Sequence, residues 1–454
     1  MNAISAYFNR TFTLGQSLAW LGLALVTLTL GAHFYRAGEY GIAACVGGML
    51  VFMALESRWK QYAVAFFLFW GMVEWGESAL ELALMRMRFG MPWIRGAGII
   101  FAVALITGLA GKYALSRARH LDDADTGNAR AFFQGIVFIC VFLALFYLRR
   151  AAPMNFLLLE RYLPVLGSVQ IFFVSWYAAF ISGRLVDPKT SRKARKAAWL
   201  VFAVIFFLQF FLGVLGVEKM LLTGSLHAPV PAFIVFAPIF RDAFSMMPFI
   251  VLASVLLAGS AWCSMLCYFG PLDSLAAGNK AVRPYPDWMR GLLQYGRAVV
   301  LAAGSLLALL LRQAGVGTAA AVSISIAFAV CSLIVMAVVS KRYNGMAHCA
   351  AFCPMGLLIN LLGRVSPWRL RVDRERCDDC GACEKICKYS AINKESREAG
   401  KSLLRCSLCR DCVGVCTSKA LYIHFPGVTR ERAWWVFTGL VSVLHAVFLS
   451  VAMV

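Results

Sequence analysis

Long apolar runs separated by short polar connections dominate this chain, and the runs have the length of a membrane crossing. A helix needs about 20 mostly apolar residues to traverse the hydrocarbon of a bilayer. Eleven stretches fit: 16–35, 40–56, 62–85, 97–115, 131–148, 163–182, 197–216, 244–262, 293–311, 318–340 and 433–452. A polar block, residues 363–432, interrupts the series before the last run. The pattern predicts an all-α polytopic membrane protein of about eleven transmembrane helices, with a small domain inserted ahead of the last one. Four regions follow: N-terminal spans (1–225), a second membrane region (226–362), the polar block (363–432) and a final span (433–454).

Composition sharpens the picture. Of 454 residues 61% are hydrophobic and 15% charged, too apolar for water to be the main solvent. Soluble multidomain, disordered, collagenous and disulfide-stapled secreted classes are excluded. A net charge of +21 would point to nucleic acid in a soluble protein, but here it fits the excess Lys and Arg of cytoplasmic loops. Summed over alternate loops, that bias puts the N-terminus and block 363–432 in the cytoplasm and the C-terminus outside. The densest inner loop, Arg184–Lys196, reads as an orientation anchor. Arg10 precedes a long apolar run without a small-residue cleavage site and reads as part of a signal anchor.

Fifteen cysteines do not fit a plain membrane protein, and eight of them lie in the polar block. They form two runs of identical spacing, Cys377-x-x-Cys380-x-x-Cys383-x-x-x-Cys387 and Cys406-x-x-Cys409-x-x-Cys412-x-x-x-Cys416. Three thiolates at two-residue gaps wrap one corner of a [4Fe–4S] cubane, and the fourth of each run ligates the other cluster. The predicted ligand sets are Cys377, Cys380, Cys383 and Cys416 for one cluster, and Cys406, Cys409, Cys412 and Cys387 for the other. Zinc is the alternative for paired C-x-x-C units, but it explains the doubled spacing poorly. Residues 369–424 resemble a bacterial two-cluster ferredoxin, a small α+β domain. The resemblance departs where Lys388 and Thr417 replace the proline after each fourth cysteine. Lys385, Lys388, Arg405 and Arg410 are expected either to raise cluster potential or to form a docking surface for an acidic partner.

Four further cysteines form a subtler repeat. Residues 261–275 and 347–361 share A-x-C-x-x-x-C-x-x-G-x-L-x-x-L, each where a span ends on the inner side. Cys263/Cys267 and Cys349/Cys353 therefore each share a helix face, in two hairpins related by pseudo-symmetry. Three uses stand open for them: a third cluster or metal, redox-active thiols, or interfacial packing. Cys45, Cys140 and Cys331 lie singly within spans and read as packing.

C-x3-C pairs followed by a two-run ferredoxin segment resemble the polyferredoxin-type membrane [4Fe–4S] proteins. That family includes the membrane component associated with periplasmic nitrate reductase, the C-terminal part of the nitrous-oxide reductase regulator and the cbb3-oxidase assembly factor. The resemblance covers residues 225–425 and implies a bacterial inner-membrane electron carrier. It also implies quinol oxidation or quinone reduction on the membrane side. Glu74 and Glu77, with Glu81, are candidates for proton handling at a quinone site; otherwise they sit at the outer edge of a span ending near Val73. His227 and Arg241 flank a re-entrant or interfacial segment and are candidates for contact with quinone or a partner. Only His445 clearly lies inside a span, too few histidines for a haem relay. The expected function is electron transfer between the quinone pool or a membrane redox subunit and a soluble or peripheral redox protein. A copper- or iron-handling assembly factor and a scaffold subunit are the alternatives.

Overall fold

Sustained apolar runs give helices wherever they occur. The computed structural model describes residues 14–54, 58–120, 125–152, 155–217, 219, 229–243 and 246–451. The chain divides into two units, Met1–Ala179 and Phe180–Val454. Each of the eleven predicted spans is helical. Among the described residues seven helices are long and apolar enough to cross a membrane: Ile94–Ala118, Ala129–Ala151, Pro188–Val214, Met247–Met265, Asp287–Gln313, Thr318–Tyr343 and Arg430–Val451. The other predicted spans fall short of that test for physical reasons: Tyr40–Met53 is short, and Gly167–Leu185 mixes Gln170, Ser175, Trp176 and Tyr177 into its apolar residues. Arg58–Arg88 is one continuous helix of 31 residues, so the helix runs on past Val73. Its C-terminal half carries Glu74 half-buried and Glu77 and Glu81 exposed.

The first unit is held by aromatic packing. Phe67, Phe138 and Phe142 are buried and meet ring to ring, with Phe67 and Phe142 centroids 4.8 Å apart. Gly135 lies so close to Tyr62 that a Cβ there would come within 2.8 Å of its side chain. At one end Arg149 donates to Glu160 at 2.7 Å and to Ser168 at 2.7 Å. Cys45 is buried and donates to the Ser168 carbonyl, while Cys140 is exposed.

In the second unit α1 (Pro188–Val214) starts on a proline, with the Asp187 carboxylate accepting from the Lys189 N–H, a pre-set φ plus an N-cap. α2 (Phe233–Arg241) is a short apolar helix, and a Cβ at Gly304 would lie 2.4 Å from its Phe236 ring. Then come α3 (Met247–Met265), α4 (Gly270–Ala277), α5 (Asp287–Gln313), α6 (Thr318–Tyr343) and α7 (Pro354–Leu362). Only 11% of the apolar window of α6 is buried, an outer face suited to lipid and not to water. Cys331 is exposed on it. The polar block folds as β1 (Arg369–Val372), two five-residue helices and β2 (Leu421–His424). The strands pair antiparallel, Arg369 opposite His424 and Val372 opposite Leu421. The last helix, α8 (Arg430–Val451), follows.

Candidate iron–sulfur centres

The two four-cysteine runs share a backbone pattern at matched positions. Positive φ occurs at Asp379 and Leu408, at Gly381 and Arg410, and at Ser390 and Lys419. These are matched positions, two, four and thirteen residues after the first cysteine of each run. Left-handed backbone costs a non-glycine residue free energy, so its recurrence at Leu408, Arg410 and Lys419 marks an imposed shape. Left-handed residues set between others turn successive N–H groups into one concavity, the arrangement that holds anions and iron–sulfur groups. The fourth cysteines match as well. Ala391 N–H donates to Cys387 Sγ at 3.2 Å and Ala420 N–H to Cys416 Sγ at 3.3 Å. The two loops thus supply thiolates and inward N–H donors, the donor set of a four-iron cluster. Among the described residues no three His, Cys, Asp or Glu side chains converge as ligands of a single ion. A cubane spaces its thiolates more widely, one to each iron.

The two predicted ligand sets differ in environment. Cys380 is exposed and Cys377 and Cys416 half-buried. Burial pushes the thiols of the other set up, Cys387 to about 12 and Cys409 to about 11, with Cys406 and Cys412 also raised. That second loop is seated on the spans. Arg195 of α1 is 3% exposed and grips Asp411 through Nε at 3.0 Å and Nη2 at 2.7 Å, with Nη1 on the Ser264 carbonyl at 3.2 Å. Ser264 Oγ donates to the Ser407 carbonyl at 2.8 Å. Arg410 is buried, donates to Thr438 Oγ1 and lies over Trp434 and Phe437 at 4.5 and 5.3 Å.

Lys388, which stands where ferredoxins carry proline, is 5% exposed. Its ammonium donates to the carbonyls of Ala277, Lys280 and Asn344 at 3.3, 2.6 and 2.6 Å. It ties the block to the ends of α4 and α6, and burial lowers it to about 8. The expectation of a basic docking surface therefore fails for Lys388 and Arg410, which are internal. Arg405 is half-buried and donates to the Ser390 and Leu293 carbonyls; Lys385 alone of the four is exposed. The Arg184–Lys196 loop is likewise more than an anchor, because Arg195 is a buried partner of the block.

The C-x3-C pairs also repeat in three dimensions. Cys267 N–H donates to the Trp262 carbonyl at 3.0 Å and Cys353 N–H to that of His348 at 2.9 Å, matched positions of the repeat. Each second thiol sits ahead of a helix, α4 or α7; Cys353 Sγ accepts the Gly356 N–H at 3.4 Å, and the leading amides Phe269 and Gly270 of α4 likewise favour the ionised form of Cys267. Where Tyr268 replaces the proline of the other pair, its ring stacks on Phe206 at 3.6 Å. All four thiols line one cavity. Arg297 and Arg405 supply positive charge to its wall. Two buried donors facing it, Trp262 Nε1 and Ser407 Oγ, find no partner among the described residues. Four thiols, two cations and orphaned donors fit a guest that is anionic and rich in acceptors. The asymmetric feature is Asp273, fully buried, whose Oδ2 accepts the Cys349 N–H at 2.9 Å; burial lifts its carboxyl to about 6.

Comparison with known proteins decides the family. A model described as a 4Fe-4S binding domain matches residues 370–392, and a second of the same description matches 242–293 and 323–373, spanning both C-x3-C pairs. A ferredoxin of Pyrobaculum islandicum is 43% identical over 75 residues, 15% of this chain and 68% of that protein. The chain belongs to the ferredoxin-type 4Fe-4S proteins. The Escherichia coli protein YccM, named as a candidate electron transport protein, is 25% identical over 264 residues, half of this chain and 67% of its own length. An uncharacterized protein of Methanocaldococcus jannaschii is 30% identical over 76 residues, of which the chain spans 29%. No solved structure matches. This ferredoxin-type chain is an iron–sulfur electron-transfer protein with membrane-length apolar helices.

Of the remaining candidates, Arg241 is not part of the cavity wall. Glu74 and Glu77 lie on Arg58–Arg88 in the first unit. Arg241 is exposed at the end of α2, followed by Asp242, which pairs with Arg312. His227 lies outside the described residues. The α2 segment does reach the cavity by its leading turn, where buried Pro231 joins the wall. Sequence reasoning missed Arg195, Asp411, Asp273 and Tyr389. The signal for Arg195 was present: it shares a helical stripe with Ser191, Ala198, Trp199 and Phe202, all buried.

Proposed function

We propose that the chain passes single electrons between the quinone pool or a membrane redox subunit and a soluble or peripheral redox protein, on the cytoplasmic side of a bacterial inner membrane. Two clusters sit in the ferredoxin segment, one on Cys377, Cys380, Cys383 and Cys416 and one on Cys406, Cys409, Cys412 and Cys387. Cys263, Cys267, Cys349 and Cys353 hold a third. The carrying observation is that these four thiols line a single cavity with Arg297 and Arg405, directly against the second cluster loop. When bound, each cluster supplies one-electron exchange at nearly fixed geometry. The chain supplies the rest. Backbone N–H groups at Ala391, Ala420, Gly270 and Gly356 orient and hydrogen-bond the thiolates. Arg195 and Lys388 fix the ferredoxin segment against the spans. Exposed Cys380 marks the edge open to a soluble partner.

Iron and acid-labile sulfide counts with EPR on the detergent-purified protein test the reading. The wild type is expected to hold about twelve irons, and Cys263→Ser with Cys349→Ser about eight. About eight in both would remove the third cluster. Zinc in place of iron would remove the ferredoxin clusters themselves. A quinone analogue that perturbs no cluster signal would rule out the quinone pool as the membrane-side reactant.

A further inference from the structure

Between the four-thiol cavity and the second ferredoxin loop stands the side chain of Tyr389. Tyr389 is 5% exposed and packs in one buried cluster with Trp199, Met346 and Ala391. Against that cluster lie Cys349 of the cavity and Cys387 and Cys406 of the ferredoxin loop. Its two ends touch different sites. At the backbone end, Tyr389 follows Cys387 by two residues, and its N–H lies near enough to that thiol to favour the ionised form. At the other end, the phenol lines the cavity and donates to the Cys263 carbonyl at 3.4 Å. The phenol lies close enough to Cys263 and Cys349 on one side and Cys409 on the other to feel all three thiols. Trp199 backs it and is itself anchored by Nε1 to the Cys267 carbonyl at 2.7 Å.

We infer that Tyr389 is the bridge through which electrons pass between the four-thiol site and the cluster on Cys387, Cys406, Cys409 and Cys412. This rests on the third-cluster reading above. One electron leaves the reduced member of the pair and arrives at the oxidised member. No bond forms or breaks, no proton moves, and Tyr389 ends as it began. Its contribution is continuous, dry, polarisable contact where a gap or water would otherwise lie. The hydroxyl adds one long hydrogen bond, so the ring is the working part. A competing route exists in the hydrogen bond from Ser264, beside Cys263, to the carbonyl of Ser407, beside Cys406.

The test uses the holoprotein in detergent. A photoreductant in solution delivers an electron at the exposed Cys380 edge, and freeze-quench EPR follows its redistribution among the clusters. Tyr389→Phe should keep the iron count and the wild-type rate of equilibration with the third cluster. Tyr389→Leu and Tyr389→Met should keep the iron count and slow that rate severalfold, with spin coupling between the two sites weakened. Unchanged rates in fully loaded Leu and Met variants would overturn the bridge, as would slowing by Ser264→Ala alone. Should the Leu variant lose iron, Tyr389→Met, closer to tyrosine in reach, carries the same decision. A wild-type count of about eight irons would instead mark failure of the third-cluster reading, before any rate is compared.

Discussion

Arg410 occupies a position that both its backbone and its charge make costly. Its φ is +69°, where glycine is the usual choice and where Gly381 stands in the matching loop. Its guanidinium is buried against Thr438, Trp434 and Phe437, whereas the neighbouring Arg195 is neutralised by Asp411. A buried cation beside Cys409 favours the more negative, reduced cluster. Arg410→Gln should therefore lower the midpoint potential of the cluster on Cys406, Cys409 and Cys412 by on the order of 50–100 mV. Arg410→Gly should lower it equally while relaxing the backbone, because the effect follows charge and not conformation. Redox titration monitored by EPR checks both, and an unshifted potential in either variant would sink the electrostatic account.

At the level of elements, the second cluster loop is held on α1 by the buried Arg195–Asp411 pair, with Arg192 a longer partner of Asp411 at 3.8 Å. Breaking a buried pair from one side costs roughly 3–5 kcal/mol, an upper bound where a second cation stays near, while replacing both members with apolar groups is often close to neutral. Arg195→Met should accordingly destabilise the holoprotein, read as earlier thermal bleaching of cluster absorbance. Adding Asp411→Leu should restore most of the loss. A double variant no better than the single one would show that Arg195 acts through its other contact, the Ser264 carbonyl. Elements of this kind also mark what sequence can reveal. Both ferredoxin runs were legible because a cubane takes most of its ligands from one short stretch, so spacing alone encodes Cys377–Cys387 and Cys406–Cys416. The C-x3-C pairs were legible as a repeat but not as one cavity. Their meeting depends on contacts between residues remote in the chain, such as the Cys349 N–H donating to Asp273, 76 positions away. Lys388 reads in the sequence as a departure from a ferredoxin pattern and Tyr389 carries no signal there, since their partners Ala277, Asn344 and Cys263 are remote in the chain. Span counting suffered from a related limit: Arg58–Arg88 continues as helix through Glu74 and Glu77, where its apolar run ends.

For the molecule as a whole, the three cysteine groups form a graded series from the water-facing loop to the spans. Exposed Cys380 stands at one end. The thiols of Cys387, Cys406, Cys409 and Cys412 come next, dehydrated and overlaid by α1 and α8. The four-thiol cavity, lined from α3, α5 and α7, lies beyond them. Such an order suits conduction between a soluble partner and a lipid-facing surface like that of α6, of which so little is buried. It also fixes how the protein should decay. Oxygen and iron chelators arrive from water, so with three clusters bound as proposed, damage should begin at the one beside Cys380 and advance inward, leaving first a species with two clusters and then one. Timed exposure to a membrane-impermeant chelator, with iron counted and each EPR signal followed, should show sequential and not simultaneous loss. A cell repairing this carrier would then need, most of the time, to rebuild only its outermost centre, while the inner ones persist through episodes of oxidative stress.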